Sequence, residues 1–253
     1  MTYPRVVIDE VLQLLGEGLS QAEVSRRTGI SRTAVRSWAA GRVPVRFLSA
    51  FERHDRSTCA LIDAVPRRSY AYLLGLYLGD GTISKMRRGV FKLRIFCCDA
   101  YPHLKDLCQE AMEAVLPGNR VGRVQRIGCT EITSYSKHWP CLFPQHGPGM
   151  KHLRSIVLDG WQAAIVQEHP RDFLRGLIHS DGYRGINPIK GRGGKMYHYP
   201  RYQFANESQD IKRLFCMACD ALGVGWKVMN RKTISINKRA DVAFLDTFIG
   251  PKT

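Results

Sequence analysis

The segment Tyr72-Leu-Leu-Gly-Leu-Tyr-Leu-Gly-Asp-Gly81 decides how this chain is read, because a second version follows as Phe173-Leu-Arg-Gly-Leu-Ile-His-Ser-Asp-Gly182. In each, Gly is the fourth residue of an apolar run that an Asp-Gly pair closes. The offset is 101 residues throughout: Gly75 to Gly176, Leu76 to Leu177, Asp80 to Asp181. Such runs are too apolar for surface helices and predict helices buried against a partner. Gly75 and Gly176 weaken a helix interior, and close helix–helix approach is a reason to tolerate them there. Gly81 and Gly182 are expected as left-handed residues ending the helices. Asp80 and Asp181 then stand at the negative ends of two helix dipoles, and side-by-side packing adds mutual repulsion. A divalent cation would relieve both penalties.

Present twice at one offset, the segments resemble the LAGLIDADG motif of homing endonucleases in its single-chain form. The resemblance implies an α+β fold: a pseudo-twofold pair of αββαββα halves forming a saddle whose β-surface lies in the DNA major groove. Half 1 is expected over 69–168 and half 2 over 169–253. The resemblance further implies Asp80 and Asp181, with the preceding Gly79 and Ser180, as the metal positions. Mg²⁺ is the expected ion, with Ca²⁺ or Mn²⁺ as substitutes. Lys137 and Lys238, again 101 residues apart, match the family's basic residue after the fourth strand and complete the catalytic set. One departure stands out. The family often carries a polar residue, commonly Gln, on the second strand near each metal site. The matching places fall near Phe96 and Phe204, neither polar, leaving Gln203 and Gln125 as substitutes. His179 lies on an apolar helix, where a packed core residue is the ordinary reading.

The surrounding sequence repeats one plan. Thr82–Phe96 alternates as a hairpin turning at Arg87-Arg88-Gly89, with Phe91, Leu93 and Ile95 on one face and Lys92 and Arg94 on the other. With Lys85, these cations form a DNA-facing surface. A helix follows over 102–116, then a strand pair over 120–136 that carries Arg123 and Arg126. In the second half a longer hairpin spans 183–205. Its turn, Lys190-Gly-Arg-Gly-Gly-Lys195, brings Lys190, Arg192 and Lys195 to the DNA, joined by Arg201 and Gln203. A helix over 210–222 and strands over 224–237 complete the half, with Arg231 and Lys232 as further contacts.

The first 45 residues read as a different unit. A helix is expected over 7–16. Ser20 and Glu23 have capping-box spacing, Gly29 suits a tight turn, and Ser31 can cap a second helix over 32–40. Val24, Ile30, Val35 and Trp38 would hold the helices together. This resembles the helix-turn-helix appended to resolvases and invertases, with Arg32, Thr33 and Arg36 facing the major groove. Residues 46–68, with Pro66, read as a linker.

Composition agrees with a DNA partner. The 253 residues carry a formal net charge of +16, which points to nucleic acid or an anionic surface. Residues 1–68 hold 11 Lys+Arg and 7 Asp+Glu, net +4; the remainder holds 27 and 15, net +12. No apolar run is long enough to span a bilayer and no signal-peptide core is present, so a cytoplasmic, nucleoid-associated protein is expected. The eight cysteines are scattered; the lone Cys216-Met-Ala-Cys219 pair lacks a second pair at zinc-finger spacing. Two functions remain. The first is a monomeric, Mg²⁺-dependent, site-specific double-strand endonuclease. The second is a non-cleaving transcriptional regulator on the same fold.

Overall fold

The structure is a computed structural model and describes residues 5–41, 59–250 and 252. The chain divides into two compact units, residues 1–57 and 58–253. The expected linker falls largely on 46–58, outside the described residues.

In the first unit, α1 (Arg5–Gly16), α2 (Gln21–Thr28) and α3 (Arg32–Ala39) enclose one core. Ile8 and Val11 meet Val24, Ile30, Val35 and Trp38, each at most 6% exposed. The Ser20 hydroxyl accepts from the Glu23 amide at 3.2 Å. The Glu23 carboxylate turns to Arg26, so only half of the expected capping box forms. Gly29 has φ 69°, where a side chain would be strained, and lets the chain reverse before Ser31 caps α3. Arg32, Thr33 and Arg36 are exposed.

In the second unit, α4 (Leu61–Ala64) precedes α5 (Arg67–Asp80), β1 (Gly81–Lys85), β2 (Phe91–Cys98), α6 (Pro102–Val115), β3 (Val121–Arg126) and β4 (Cys129–Ser136). A short α7 (Trp139–Leu142) and α8 (Gly160–Glu168) lead to the second round. This comprises α9 (Pro170–Asp181), β5 (Gly182–Lys190), β6 (Met196–Ala205), α10 (Gln209–Ala221), β7 (Lys227–Val228), β8 (Thr233–Ile236) and α11 (Arg239–Asp246). The two antiparallel sheets share one order, β1-β2-β4-β3 and β5-β6-β8-β7. The mixed α and β architecture is therefore built twice on one plan.

Strand periodicity assigns the faces. Phe91, Leu93 and Ile95 are buried, while Lys92 and Arg94 between them are half-buried on the opposite face. The β5–β6 hairpin is longer than β1–β2. Its far end exposes Ile186, Ile189, Met196 and Tyr197, apolar residues that by the strand period fall on both faces of the hairpin.

At the centre α5 lies against α9. A Cβ on Gly75 would stand 2.5 Å from the Phe173 carbonyl oxygen, and one on Gly176 would stand 2.2 Å from that of Tyr72. Glycine is thus required by backbone-to-backbone contact. Gly81 and Gly182 have a different reason from the expected one. Both are extended (φ −87° and −92°), not left-handed. A Cβ there would sit 2.5 Å from the Cα of Tyr77 or Ile178, because the strand leaves directly over the last helical turn. Among the described residues no helix is long and apolar enough to cross a membrane.

Candidate active site

Asp80 and Asp181 are the last residues of α5 and α9, brought together by the glycine contact. Their closeness shows at Gly79, where a Cβ would lie 2.2 Å from the Ser180 hydroxyl and 3.0 Å from an Asp181 carboxylate oxygen. Burial, then the charge of Asp181, raises the Asp80 pKa to about 6. Burial also raises that of Asp181, opposed by a hydrogen bond from Asn206 and by Lys151 and Lys252. Both carboxyls are therefore pushed toward their neutral forms.

The cations at this site are Lys151 and Lys252. The Lys151 ammonium donates to the carbonyls of Tyr77, Leu78 (2.8 Å) and Gly79 (2.8 Å), the open end of α5. Lys252 donates to Ser180 (3.0 Å) and Gly182, the open end of α9. Each lysine thus neutralises a helix C-terminus and lies within the field of both acids. Burial lowers the Lys151 pKa to about 8 and lowers that of Lys252, while the two aspartates oppose the change. Lys151 and Lys252 are themselves 101 residues apart. That recurrence is the signal in the sequence that marks them, and Lys137 and Lys238 share the same offset. Lys137 and Lys238 are exposed, and Lys238 pairs with Asp241 at 3.7 Å; the lysines that act on the acids' protonation are Lys151 and Lys252.

The expected strand polar group is present in one half only. Gly81 pairs with Ile95 and Gly182 with Phe204, so Cys97 and Asn206, two residues on, are equivalent. Asn206 donates to Asp181 at 2.6 Å. Cys97 lines, with Asp80, Tyr101, His179 and Lys252, a cavity of about 90 Å³. The substitutes considered from sequence are engaged elsewhere: Gln125 donates to Asp99 (2.7 Å) and Gln203 to the Met229 sulfur. His179 belongs to the core. Its Nε2–H donates to the Ile249 carbonyl, so Nδ1 accepts from the Tyr72 hydroxyl, both at 2.9 Å. Burial lowers its pKa to about 4, so it stays neutral. The Ser180 hydroxyl shares its hydrogen between the Leu177 and Gly176 carbonyls, and its own carbonyl accepts from Lys252.

The expected DNA-contacting residues divide. Lys85, Arg87 and Arg88 are exposed at the first hairpin tip, and Lys190, Arg192 and Lys195 at the second. Arg94 donates to Ser84 and Arg201 is half-buried beside Tyr199 in an open groove of the second sheet. Lys92 and Arg126 both hold Glu131, itself 1% exposed, at 2.6 and 3.0 Å. Arg231 and Lys232 both pair with Glu207. Arg123 departs from expectation: it lies on the opposite face of β3 from Arg126's neighbour Val124 in register, and bonds Asp106 (2.6 Å) and Gln109 (2.8 Å) of α6. The strand's two-residue period turns it to the helical side.

No family model matches the chain. It is 22% identical over 170 residues to an uncharacterized protein of Methanocaldococcus jannaschii, covering 66% of this chain and 54% of that one. The chain thus matches about half the length of that relative. Among solved structures it is similar to the homing endonuclease I-DmoI in complex with DNA and Mn (16% identity, 74% and 99% of the two chains, TM-score 0.46). It is also similar to the LAGLIDADG meganuclease I-AabMI bound to uncleaved DNA (11%, 71% and 82%, TM-score 0.46).

Proposed function

We propose that this protein is a site-specific double-stranded DNA endonuclease that hydrolyses phosphodiester bonds with a divalent metal. The observation that carries the reading is the pair of half-buried carboxylates, Asp80 and Asp181, forced together at two helix ends and displaced toward neutrality. A fold gains nothing from such a pair by itself, whereas a bound cation would hold both ionised. The donors are all oxygen: the two carboxylates and the carbonyls of Gly79 and Ser180. That set suits Mg²⁺, with Ca²⁺ or Mn²⁺ as substitutes, because Mg²⁺ takes few protein ligands and fills the rest from phosphate and water. When bound, the metal would lower the pKa of water and stabilise charge on the phosphate.

The chain's own groups do the rest. Lys151 and Lys252 place two half-buried ammoniums beside the acids, where they stabilise negative charge building on a phosphate. Asn206 holds the Asp181 carboxylate in orientation. The hairpin cations at 85–94 and 190–201 neutralise DNA phosphates. Exposed Arg32, Thr33 and Arg36 of α3 read bases as a helix-turn-helix module that lengthens the site. The protein acts as a monomer with internal pseudo-twofold symmetry, on cytoplasmic, nucleoid DNA.

A regulator that binds without cutting is the second reading. It is favoured by two features: the Gly79 and Ser180 carbonyls are already held by lysines, and Asp80 faces Cys97 where Asp181 has Asn206. Incubating the protein with a random DNA library and Mg²⁺, then sequencing broken ends, separates the two. Cleavage at one recurrent site, absent in Asp80→Asn and Asp181→Asn variants that still bind, is the expected result. Tight sequence-specific binding with no broken ends under Mg²⁺ or Mn²⁺ would leave the regulator.

A further inference from the structure

Outside the paired acids, three metal-ligating side chains converge. Cys59 stands at the start of the second unit, before α4. His138 is the residue that opens α7, and Cys141 lies in its first turn. One side-chain donor atom from each lies within 4.8 Å of the other two. Cys59 Sγ stands 3.5 Å from His138 Nδ1. Both cysteines are buried, at 5% and 4% exposure, and neither is in a disulfide. The spacing His138-x-x-Cys141 puts two donors on one side of a single helical turn, and Cys59 arrives from 79 residues earlier.

We infer that Cys59, His138 and Cys141 bind a structural zinc ion that ties the start of the second unit to α7. In tetrahedral zinc, bond lengths of about 2.3 Å to sulfur and about 2.0 Å to nitrogen put the donors roughly 3.5–3.8 Å apart. The Cys59–His138 separation already meets this, and the Cys141 donor lies within 4.8 Å of both. Two thiolates and an imidazole are a soft set that selects zinc over Mg²⁺ or Ca²⁺. This ion is therefore chemically distinct from the oxygen-bound metal proposed at Asp80 and Asp181. Binding replaces two thiol protons by the metal, releasing both to solvent.

The location gives the ion a task. Beyond α7 the chain runs through Phe143 and Gln145 to Lys151, the residue that closes α5. Tyr70 of α5 donates to the Leu142 carbonyl at the end of α7. A metal clip on α7 therefore fixes the base of the segment that delivers Lys151. Cys216 and Cys219, the pair that sequence spacing offers for zinc, differ in kind. They lie within α10, no further donor joins them among the described residues, and burial pushes the Cys216 thiol up to about 11 and raises that of Cys219.

The test is the metal content of the full chain purified without chelators, by mass spectrometry, with melting followed alongside. About one zinc per chain is expected, falling to near zero in Cys59→Ser and Cys141→Ser and unchanged in the Cys216→Ser/Cys219→Ser double variant. Co²⁺ in place of zinc should give thiolate charge-transfer and tetrahedral d–d absorption. His138→Cys, which keeps three donors, should retain the metal, and chelation should lower Tm. If Cys59→Ser does not fold, the wild-type cobalt spectrum and the His138→Cys stoichiometry still decide. Folded wild-type chain that stays zinc-free after dialysis against zinc would overturn the inference. So would zinc that survives Cys59→Ser and Cys141→Ser but leaves with Cys216 and Cys219.

Discussion

The two halves of the second unit share strand order, helix order, a glycine at the seam, a terminal aspartate and a capping lysine, yet they treat their acids differently. Asp181 receives a hydrogen bond from Asn206; at the equivalent position Asp80 faces Cys97. Backbone symmetry thus coexists with chemical asymmetry. Packing forces the shared features, since two helices can approach this closely only with Gly75 and Gly176 at the crossing. Nothing in the packing forces an amide next to the carboxylate. The asymmetry therefore lies where chemistry, not folding, sets the residue.

The largest expected effect tests the shared part. Gly176→Ala or Gly75→Ala should destabilise the unit by about 2–4 kcal/mol in denaturant melts, because the new methyl meets backbone atoms that cannot rotate away. An alanine tolerated within about 0.5 kcal/mol would show that the helices are not held by this contact.

The next test divides the acids. The folded-state pKa of Asp80, about 6, lies above its ordinary 3.8, so the native chain holds a proton that the unfolded chain has released. Stability from this proton is complete below about pH 4 and is lost as pH rises through 6. Metal-free protein should therefore weaken across that window. Asp80→Asn should flatten the slope and gain about 1–3 kcal/mol at pH 7. Asp181→Asn should gain less, because the Asn206 bond already stabilises the Asp181 carboxylate and leaves less penalty to relieve. Equal gains would mean that the two halves are electrostatically equivalent.

The smallest effect sharpens the comparison directly. Cys97→Asn gives Asp80 the amide that Asp181 already has. Carboxyl NMR titration should find the Asp80 pKa lowered by about one pH unit, and Asn206→Ala should move Asp181 upward. No movement in either would place the cause of the asymmetry outside these two side chains.

Much of this was legible in the sequence. The 101-residue offset located both helices and both acids, and strand alternation found the buried face of β2, because periodicity and backbone sterics are local properties. Two kinds of feature were not. Lys151 sits 71 positions after Asp80, beyond a proline- and glycine-rich stretch, and only the fold returns it to the end of α5. Asn206 lies two residues beyond Phe204, the place where a polar group was sought, because the exact hairpin register fixes which residue reaches the acid. The reason assigned to Gly81 and Gly182 also changed, since a residue required by crowding looks the same in sequence as one required by a left-handed turn.

Lys151 follows the first sheet and closes α5; Lys252 follows the second and closes α9. Each half therefore finishes its own helix with a lysine from its own end, while the seam adds cross-contacts such as the Tyr72–His179 hydrogen bond. Two copies of a single half would satisfy the same geometry. A plan repeated at one offset is what tandem duplication of a single half produces, with Cys97 and Asn206 marking where the two copies differ in chemistry.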